Sequence, residues 1–302
     1  MKSIRSVIKF QCPVCGGNVH TSARALVCSV CSRSFPVLKG IPFFSSRAVK
    51  NDIVLSQRRW NSIYIDEHIN RNDPIKDKTV ASYVQFLAPY RQQMINGILD
   101  LGCGIAWTSL KLARKHIPVT GIDISEEAVI KSKAIFDAGH VHGSFVQGDL
   151  TSLPFTDHSF PFIYSCMSLE YVKDTKQALK ESFRVLKKGG MMVAIVPVVS
   201  FTTLTYHQTR GDIPGIPIVK QLMEFIHIHI LRGKYMKYGY EQSFTVNSLR
   251  SLFQSAGFTV NNIDFFPMYY PLAFLPKAWQ PVARRLLRHR FFWPLVYVET
   301  RK

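Results

Sequence analysis

The chain has 302 residues, 47% of them apolar, enough for one α/β core of about 200 residues and a small accessory unit. No uninterrupted apolar run reaches the roughly eighteen residues of a membrane-spanning helix, and repeats and low-complexity tracts are absent. The charge of +18 is segregated: residues 1–60 carry a net +9, 61–190 only +1, and 191–302 +8. Solubility alone asks only for uniform charge, whereas segregated basic flanks suit a polyanion, either RNA or an anionic membrane surface.

The first candidate element is a pair of cysteine knuckles, Cys12-Pro13-Val14-Cys15 and Cys28-Ser29-Val30-Cys31, separated by twelve residues. Four thiolates at this spacing suit a tetrahedral structural Zn²⁺ site at Cys12, Cys15, Cys28 and Cys31, with no open coordination position for catalysis. Two disulfides or a redox dithiol are the rival readings. No signal peptide is read ahead of the cysteines, and Cys103 and Cys166 are solitary in strand-like segments. Both points favour a reducing, cytoplasmic setting and therefore the metal. The expected organisation is a ribbon over residues 1–48, a helical linker over 49–94, and an α/β domain over 95–302.

Ile98-Leu99-Asp100-Leu101 reads as an apolar strand ending near a carboxylate. The glycine turn Gly102-Cys103-Gly104 and helix formers from Trp107 to Lys115 follow. A strand that ends in Gly-x-Gly and feeds a helix brings backbone N–H groups close to a bound nucleotide or amino acid. About twenty residues on, Pro118–Asp123 is a second strand closing on an acid, placed to accept from ribose hydroxyls. Ser144–Gln147 leads to Asp149, which can accept from an exocyclic amine. Three acids at successive strand ends outline a nucleoside-sized crevice at the carboxyl edge of a parallel sheet. No Gly-x-x-x-x-Gly-Lys-Ser/Thr motif occurs, so a triphosphate cradle is not expected.

Leu99–Gly104, Gly121-Ile122-Asp123-Ile124-Ser125, Gly148-Asp149-Leu150-Thr151-Ser152-Leu153-Pro154-Phe155 and Arg184–Gly190 together resemble class I S-adenosylmethionine-dependent methyltransferases. More narrowly, they resemble the subgroup whose fourth segment reads Leu-Pro-Phe-x-Asp-x-Ser-Phe-Asp. The resemblance implies a Rossmann-like α/β sheet, mostly parallel with an antiparallel last strand. It also implies that Asp100, Gly102, Cys103 and Gly104 hold the methionine end of the cofactor, Asp123 and Ile124 the ribose, and Asp149 and Leu150 the adenine. Three departures stand out. Ala106 occupies the place of a common third glycine, Pro161 that of the usual Asp, and Tyr171 that of a frequent His. Cys31–Phe44 is similar to the zinc ribbon of small activator proteins of tRNA, rRNA and release-factor methyltransferases. Comparable ribbons are also fused to enzymes with RNA, small-molecule or lipid-linked acceptors.

Two later segments bear on the acceptor. An insert at about 199–240, apolar at its centre, suits either a lid that excludes water over a hydrophobic acceptor or a dimer contact. A second insert at about 268–292 lies between a strand at 258–266 and its antiparallel partner at 293–300, which is expected to close the sheet. Here Leu275, Trp279, Val282, Leu286 and Leu287 share a helical face, with Arg284, Arg285 and Arg288 beside it and Pro281 limiting the helix to its later part. Such a helix suits a membrane interface, RNA contact, or ordinary packing on the sheet.

A sulfonium methyl is already activated, so the protein contributes chiefly positioning and dryness. A hydroxyl acceptor still needs a base, and Glu170, Tyr171, His158 and His207 are the candidates. The sequence thus points to methyl transfer onto a small hydrophobic or lipid-linked acceptor, with peripheral work at a membrane surface. An RNA methyltransferase that grips the phosphate backbone is the alternative, and a non-catalytic cofactor-binding scaffold a further one.

Overall fold

The computed structural model describes residues 8–44, 51–66, 74–200, 213–214, 216, 218–232, 234, 239–266, 276–286 and 289–302. Four short antiparallel strands open it, β1 (Val19–Ser22), β2 (Ala25–Cys28), β3 (Ser34–Leu38) and β4 (Ile41–Pro42), paired in sequence order. Helices α1 (Asn51–Asp66), α2 (Pro74–Leu87) and α3 (Arg91–Met94) follow, then β5 (Ile98–Leu101), α4 (Trp107–Ala113), β6 (Val119–Asp123), α5 (Glu126–Ala138) and β7 (Ser144–Gln147). The chain continues through β8 (Phe160–Cys166), α6 (Thr175–Val185), β9 (Leu186–Pro197), β10 (Ile213–Pro214), α7 (Val219–Glu224) and β11 (Gln242–Ser243). It ends with α8 (Val246–Ser255), β12 (Thr259–Phe265), α9 (Gln280–Leu286) and β13 (Leu295–Arg301).

The main sheet has seven strands in the order β12-β13-β9-β8-β5-β6-β7. The β5/β6, β6/β7, β5/β8 and β8/β9 pairs are parallel, and β13 runs antiparallel to both β9 and β12. The 293–300 strand therefore lies inside the sheet rather than closing it, and β12 forms the edge. Strand β9 explains why such a sheet needs helices on both sides: Met192, Ala194 and Val196 enter one core while Met191, Val193 and Ile195 enter the other. Burying each Met, Val or Ile of this set stabilises by about 1.5–3 kcal/mol relative to exposure. Pro161 sits at the second position of β8, where the register slips between Phe160 and Phe162, so the missing N–H costs no ladder bond.

Local sequence sets the helix starts. Ser125 accepts from the Ala128 N–H (3.2 Å) and caps α5, with Glu126 and Glu127 in its positive first turn. Asp174 caps α6 by accepting from the Gln177 N–H (3.0 Å), and Thr245 and Ser248 form a reciprocal capping box on α8. Helix α4 lacks a side-chain cap; its N-cap is Ala106, held at φ 49°.

The cysteine sheet is not a separate bead. Cys12, Cys28, Phe35 and Phe44 share one core cluster with Leu150, Leu153 and Phe155 of the main domain, and Phe43 bridges in parallel to Gln147 of β7. The exposed edge of β7 is thereby covered, which removes a site for unwanted strand pairing. Helix α1 packs on α5, and the Lys131 ammonium donates to the Tyr64 carbonyl and to the Ile65 carbonyl (3.3 Å) at the C-terminus of α1. Residues 201–212, 267–275 and 287–288 lie outside the described residues, and with them His207, Leu275, Leu287 and Arg288. Among the described residues no helix is long and apolar enough to cross a membrane.

Candidate functional site

Two adjoining crevices open at the carboxyl ends of β5, β6 and β7, sharing Tyr64, Gly102 and Met167 as walls. The larger has a volume of about 1180 Å³ and meets Asp123, Ile124, Asp149 and Leu150; the smaller, about 460 Å³, meets Asp100, Cys103 and Gly104. All eight sequence-derived cofactor residues thus line one connected region. At Gly102, φ is +74° and a Cβ would lie 2.3 Å from the Ser168 Cβ, so only glycine lets the turn pass under the crevice. Gly104, at φ +52°, lies directly beneath the Tyr64 hydroxyl: a Cβ there would stand 2.7 Å from it.

The acids differ in setting. Asp123 is buried and accepts from the Gly104 N–H (2.8 Å) through Oδ2 and the Ser125 N–H (2.9 Å) through Oδ1. A carboxylate offers about four acceptor sites, so both oxygens keep capacity for a pair of hydroxyls. Burial pushes the Asp123 carboxyl up, and the N–H donors pull it back. Asp149 accepts from the N–H (2.9 Å) and hydroxyl (2.7 Å) of Thr151, a local turn that fixes its direction. Asp100 is 4% exposed, and burial lifts its carboxyl to about 7 despite the Ser109 hydroxyl that donates to it at 2.5 Å. A carboxyl so desolvated gains from any cation brought beside it.

The far wall of the large crevice draws on three segments: helix α1, the residues after β8, and the 199–240 insert. Helix α1 contributes Arg58, Arg59, Trp60 and Tyr64; Tyr171 follows β8; Ile228 and Tyr240 come from the 199–240 insert. The Trp60 ring meets Tyr171 edge-on at 4.9 Å and stacks near Tyr64 at 5.8 Å. Ser125 donates to the Asn61 side chain (2.7 Å) and Gln57 to Glu126 (3.0 Å), fixing α1 across the opening. A helical linker is the expectation over 49–94; only the fold brings α1 over the strand ends.

The base candidates separate by position. Tyr171 lines the large crevice, and Glu170 beside it is fully buried and does not. His158 sits before β8, with its N–H donating to the Arg184 carbonyl (3.1 Å) and Nδ1 3.2 Å from the Leu186 carbonyl. That is the amino edge of the sheet, opposite the crevice, and His158 cannot reach an acceptor there. His227 is buried and His229 exposed on one π-helical turn, so they do not converge on an ion.

The four cysteine sulfurs lie within 4.8 Å of one another, with Cys12–Cys31 at 3.7 Å and Cys15–Cys28 at 3.5 Å. A tetrahedral ion with bonds of about 2.3 Å needs sulfurs about 3.8 Å apart, whereas a disulfide needs about 2.05 Å. The donor set therefore fits a structural Zn²⁺. The Val30 and Cys31 N–H groups donate to the Cys28 sulfur (3.4 and 3.5 Å), and the Cys31 N–H chiefly lowers its thiol to about 6.

A methyltransferase-domain family model matches residues 99–194, the span from the first glycine strand into β9. The demethylmenaquinone methyltransferase of Listeria welshimeri is 30% identical over 185 residues, covering 56% of this chain and 72% of the relative. The chain belongs to the class I S-adenosylmethionine-dependent methyltransferases. The malonyl-[acyl-carrier protein] O-methyltransferase of Erwinia billingiae is 32% identical over 96 residues, 32% of this methyltransferase and 37% of the relative. In fold, it is similar to a chain from the complex between the Haloferax volcanii Trm112 methyltransferase activator and a methyltransferase. That similarity has a TM-score of 0.55 and 19% identity, over 82% of this chain and 96% of that one. A Mesorhizobium loti methyltransferase gives a TM-score of 0.50 at 21% identity, over 76% and 100%.

Proposed function

We propose that this methyltransferase alkylates a small hydrophobic or lipid-linked acceptor presented at an anionic membrane surface. The observation that carries the proposal is the 1180 Å³ crevice beside the glycine turn. It exceeds the ~300–1,000 Å³ of an ordinary ligand site, and Trp60, Tyr64, Tyr171, Ile228 and Tyr240 line it beyond the cofactor acids. Such a wall suits an apolar acceptor beside the cofactor. The names of the relatives are in keeping with this: one acts on demethylmenaquinone, another on a malonyl group on its carrier protein.

S-adenosylmethionine, when bound, supplies an activated methyl group. The residues of the chain would then hold it: Asp123 and Ile124 at the ribose, Asp149 and Leu150 at the adenine, Asp100 with Gly102, Cys103 and Gly104 at the methionine end. Helix α1 and the insert exclude water, which strengthens every polar contact inside. Tyr171, the candidate base that lines the crevice, would take the proton of a hydroxyl acceptor as its phenolate, its own proton having first passed to solvent. The membrane reading rests on residues 276–292, a stretch with no acid. Trp279 is 62% exposed and Phe291 73%, with Lys277, Arg285 and Arg290 among them.

The test is transfer of labelled methyl from S-adenosylmethionine to extract of the source cells, fractionated into lipid, RNA and protein. Label in the lipid fraction is expected. Label in RNA instead would overturn the acceptor assignment and give the basic flanks to the phosphate backbone. Label in no fraction, from protein that binds the cofactor, would leave a scaffold.

A further inference from the structure

Residues 148–156 follow β7 and carry Asp149 and Leu150 into the large crevice. The main domain holds the inner side of this loop. The Leu153 N–H donates to Glu181 (2.8 Å), and the Arg184 guanidinium donates to the carbonyls of Leu153 (2.9 Å) and Phe155 (2.7 Å). The outer side is held by the cysteine sheet. The Gln11 N–H donates to the Pro154 carbonyl (3.0 Å), the Thr156 N–H to Lys9 (3.2 Å), and the Phe44 N–H to Gln147 (2.9 Å). Ser152 donates its hydroxyl to the Pro13 carbonyl.

That last contact joins the two centres directly. Pro13 lies between Cys12 and Cys15, so the carbonyl that receives Ser152 belongs to the first knuckle. Ser152 is three residues from Asp149 and two from Leu150. Phe10 reinforces the join, its ring 5.8 Å from Phe155 and 5.4 Å from Phe44. Without an ion, the knuckle keeps its own turn, the buried packing of Cys12 and the Ser152 contact, but four thiols or thiolates crowd within 4.8 Å with nothing between them to fix their spacing. With one, both ends of the knuckle are pinned to a common point.

We propose that the four-cysteine centre is a positioning device for the cofactor: an ion held there fixes Pro13, and through Ser152 holds the Asp149–Leu150 loop in its binding geometry. Ser152 is then a positioning residue, and cofactor affinity depends on occupancy of a site that the cofactor never touches. Reciprocity follows from thermodynamic linkage: the cofactor must tighten the ion by the same factor. The proposal rests on the cofactor assignment made above, and its test keeps the two apart.

The experiment titrates S-adenosylhomocysteine into the full-length protein by calorimetry in three forms: zinc-loaded, zinc-stripped, and zinc-loaded Ser152→Ala. Zinc content and thermal melting are recorded for each. Binding to the loaded wild type is the control, and its absence would remove the cofactor assignment itself. The stripped protein is expected to bind at least tenfold more weakly. Ser152→Ala, which keeps one zinc per chain and melts within about 2 °C of wild type, is expected to bind about fivefold more weakly, as befits one hydrogen bond. Ser152→Thr, which restores a hydroxyl, is expected to recover most of the affinity. S-adenosylhomocysteine is further expected to slow zinc loss to a chelator in the wild type, and less so in Ser152→Ala, a change that a merely structural serine would not produce. If stripping unfolds the chain, the Ser152→Ala titration and the chelator assay decide alone. Wild-type affinity in Ser152→Ala, with chelation unaffected by the ligand, would overturn the proposal.

Discussion

Asp100 offers a prediction whose sign runs against intuition. Its carboxyl is raised by burial from 3.8 to about 7, and each unit is worth about 1.4 kcal/mol. A raised carboxyl binds its proton more tightly in the folded state. Stability at this site is therefore full below about pH 4 and lost as pH rises through about 7. At pH 8 the buried charge costs on the order of 4 kcal/mol, and at pH 5, where the unfolded chain is ionised but the folded group is not, about 1.5 kcal/mol. Asp100→Asn keeps the shape and can still accept from Ser109, so it removes this cost. In the cofactor-free protein the variant should melt higher than wild type by several degrees at pH 8, at about 2 °C per kcal/mol for a chain of this size, and by much less at pH 5. It should also lose cofactor affinity, since the cation that repays the desolvated carboxylate has lost its partner. Melting by calorimetry at the two pH values, with and without S-adenosylmethionine, checks both halves. An equal or lower melting temperature for the apo variant at pH 8 would refute the reasoning.

Three further outcomes follow from the same geometry. Gly102→Ala forces a Cβ to 2.3 Å from Ser168 at a positive φ, and should destabilise by about 2–3 kcal/mol in urea unfolding and abolish cofactor binding by calorimetry. Arg184→Lys replaces a planar fork that serves Glu181, Asp157 and two carbonyls with a single point charge; a loss of about 2 kcal/mol is expected, with release of the Leu153–Phe155 carbonyls visible as faster amide exchange nearby. Tyr171→Phe keeps the edge-on contact with Trp60 and removes only the hydroxyl, so kcat should fall by about 10²–10⁴ while the KM for S-adenosylmethionine holds; an unchanged kcat would leave Tyr171 as part of the aromatic wall.

What the sequence disclosed was local chemistry. The Asp100–Gly104 turn, the acids ending β6 and following β7, and the cysteine knuckles each carry their meaning within a few residues, because a φ requirement or a ligand spacing is a short-range property. Ala106 shows the limit of that reading: the residue in the place of a common third glycine holds φ 49°, a left-handed conformation costing about 1–2 kcal/mol. Long-range neighbours were not legible. Nothing near Arg184 announces that it grips the carbonyls of Leu153 and Phe155, nor that Ser152 reaches back to Pro13. The same is true of α1, whose Trp60 and Tyr64 become walls of the crevice only when the helix docks on α5. His158 falls away as a candidate because it precedes β8, at the amino end of that strand, whereas the acids of the crevice stand at carboxyl ends.

The assignment of the strand-end crevice as the cofactor site is tested most directly by Asp123→Ala. Titrated with S-adenosylhomocysteine, the wild type should bind one molecule per chain. The variant should fold, yet bind at least tenfold more weakly, because each lost hydrogen bond to a charged group is worth about 1.5–3 kcal/mol. Equal affinity in a folded variant would contradict the account and move the cofactor away from the ends of β5, β6 and β7.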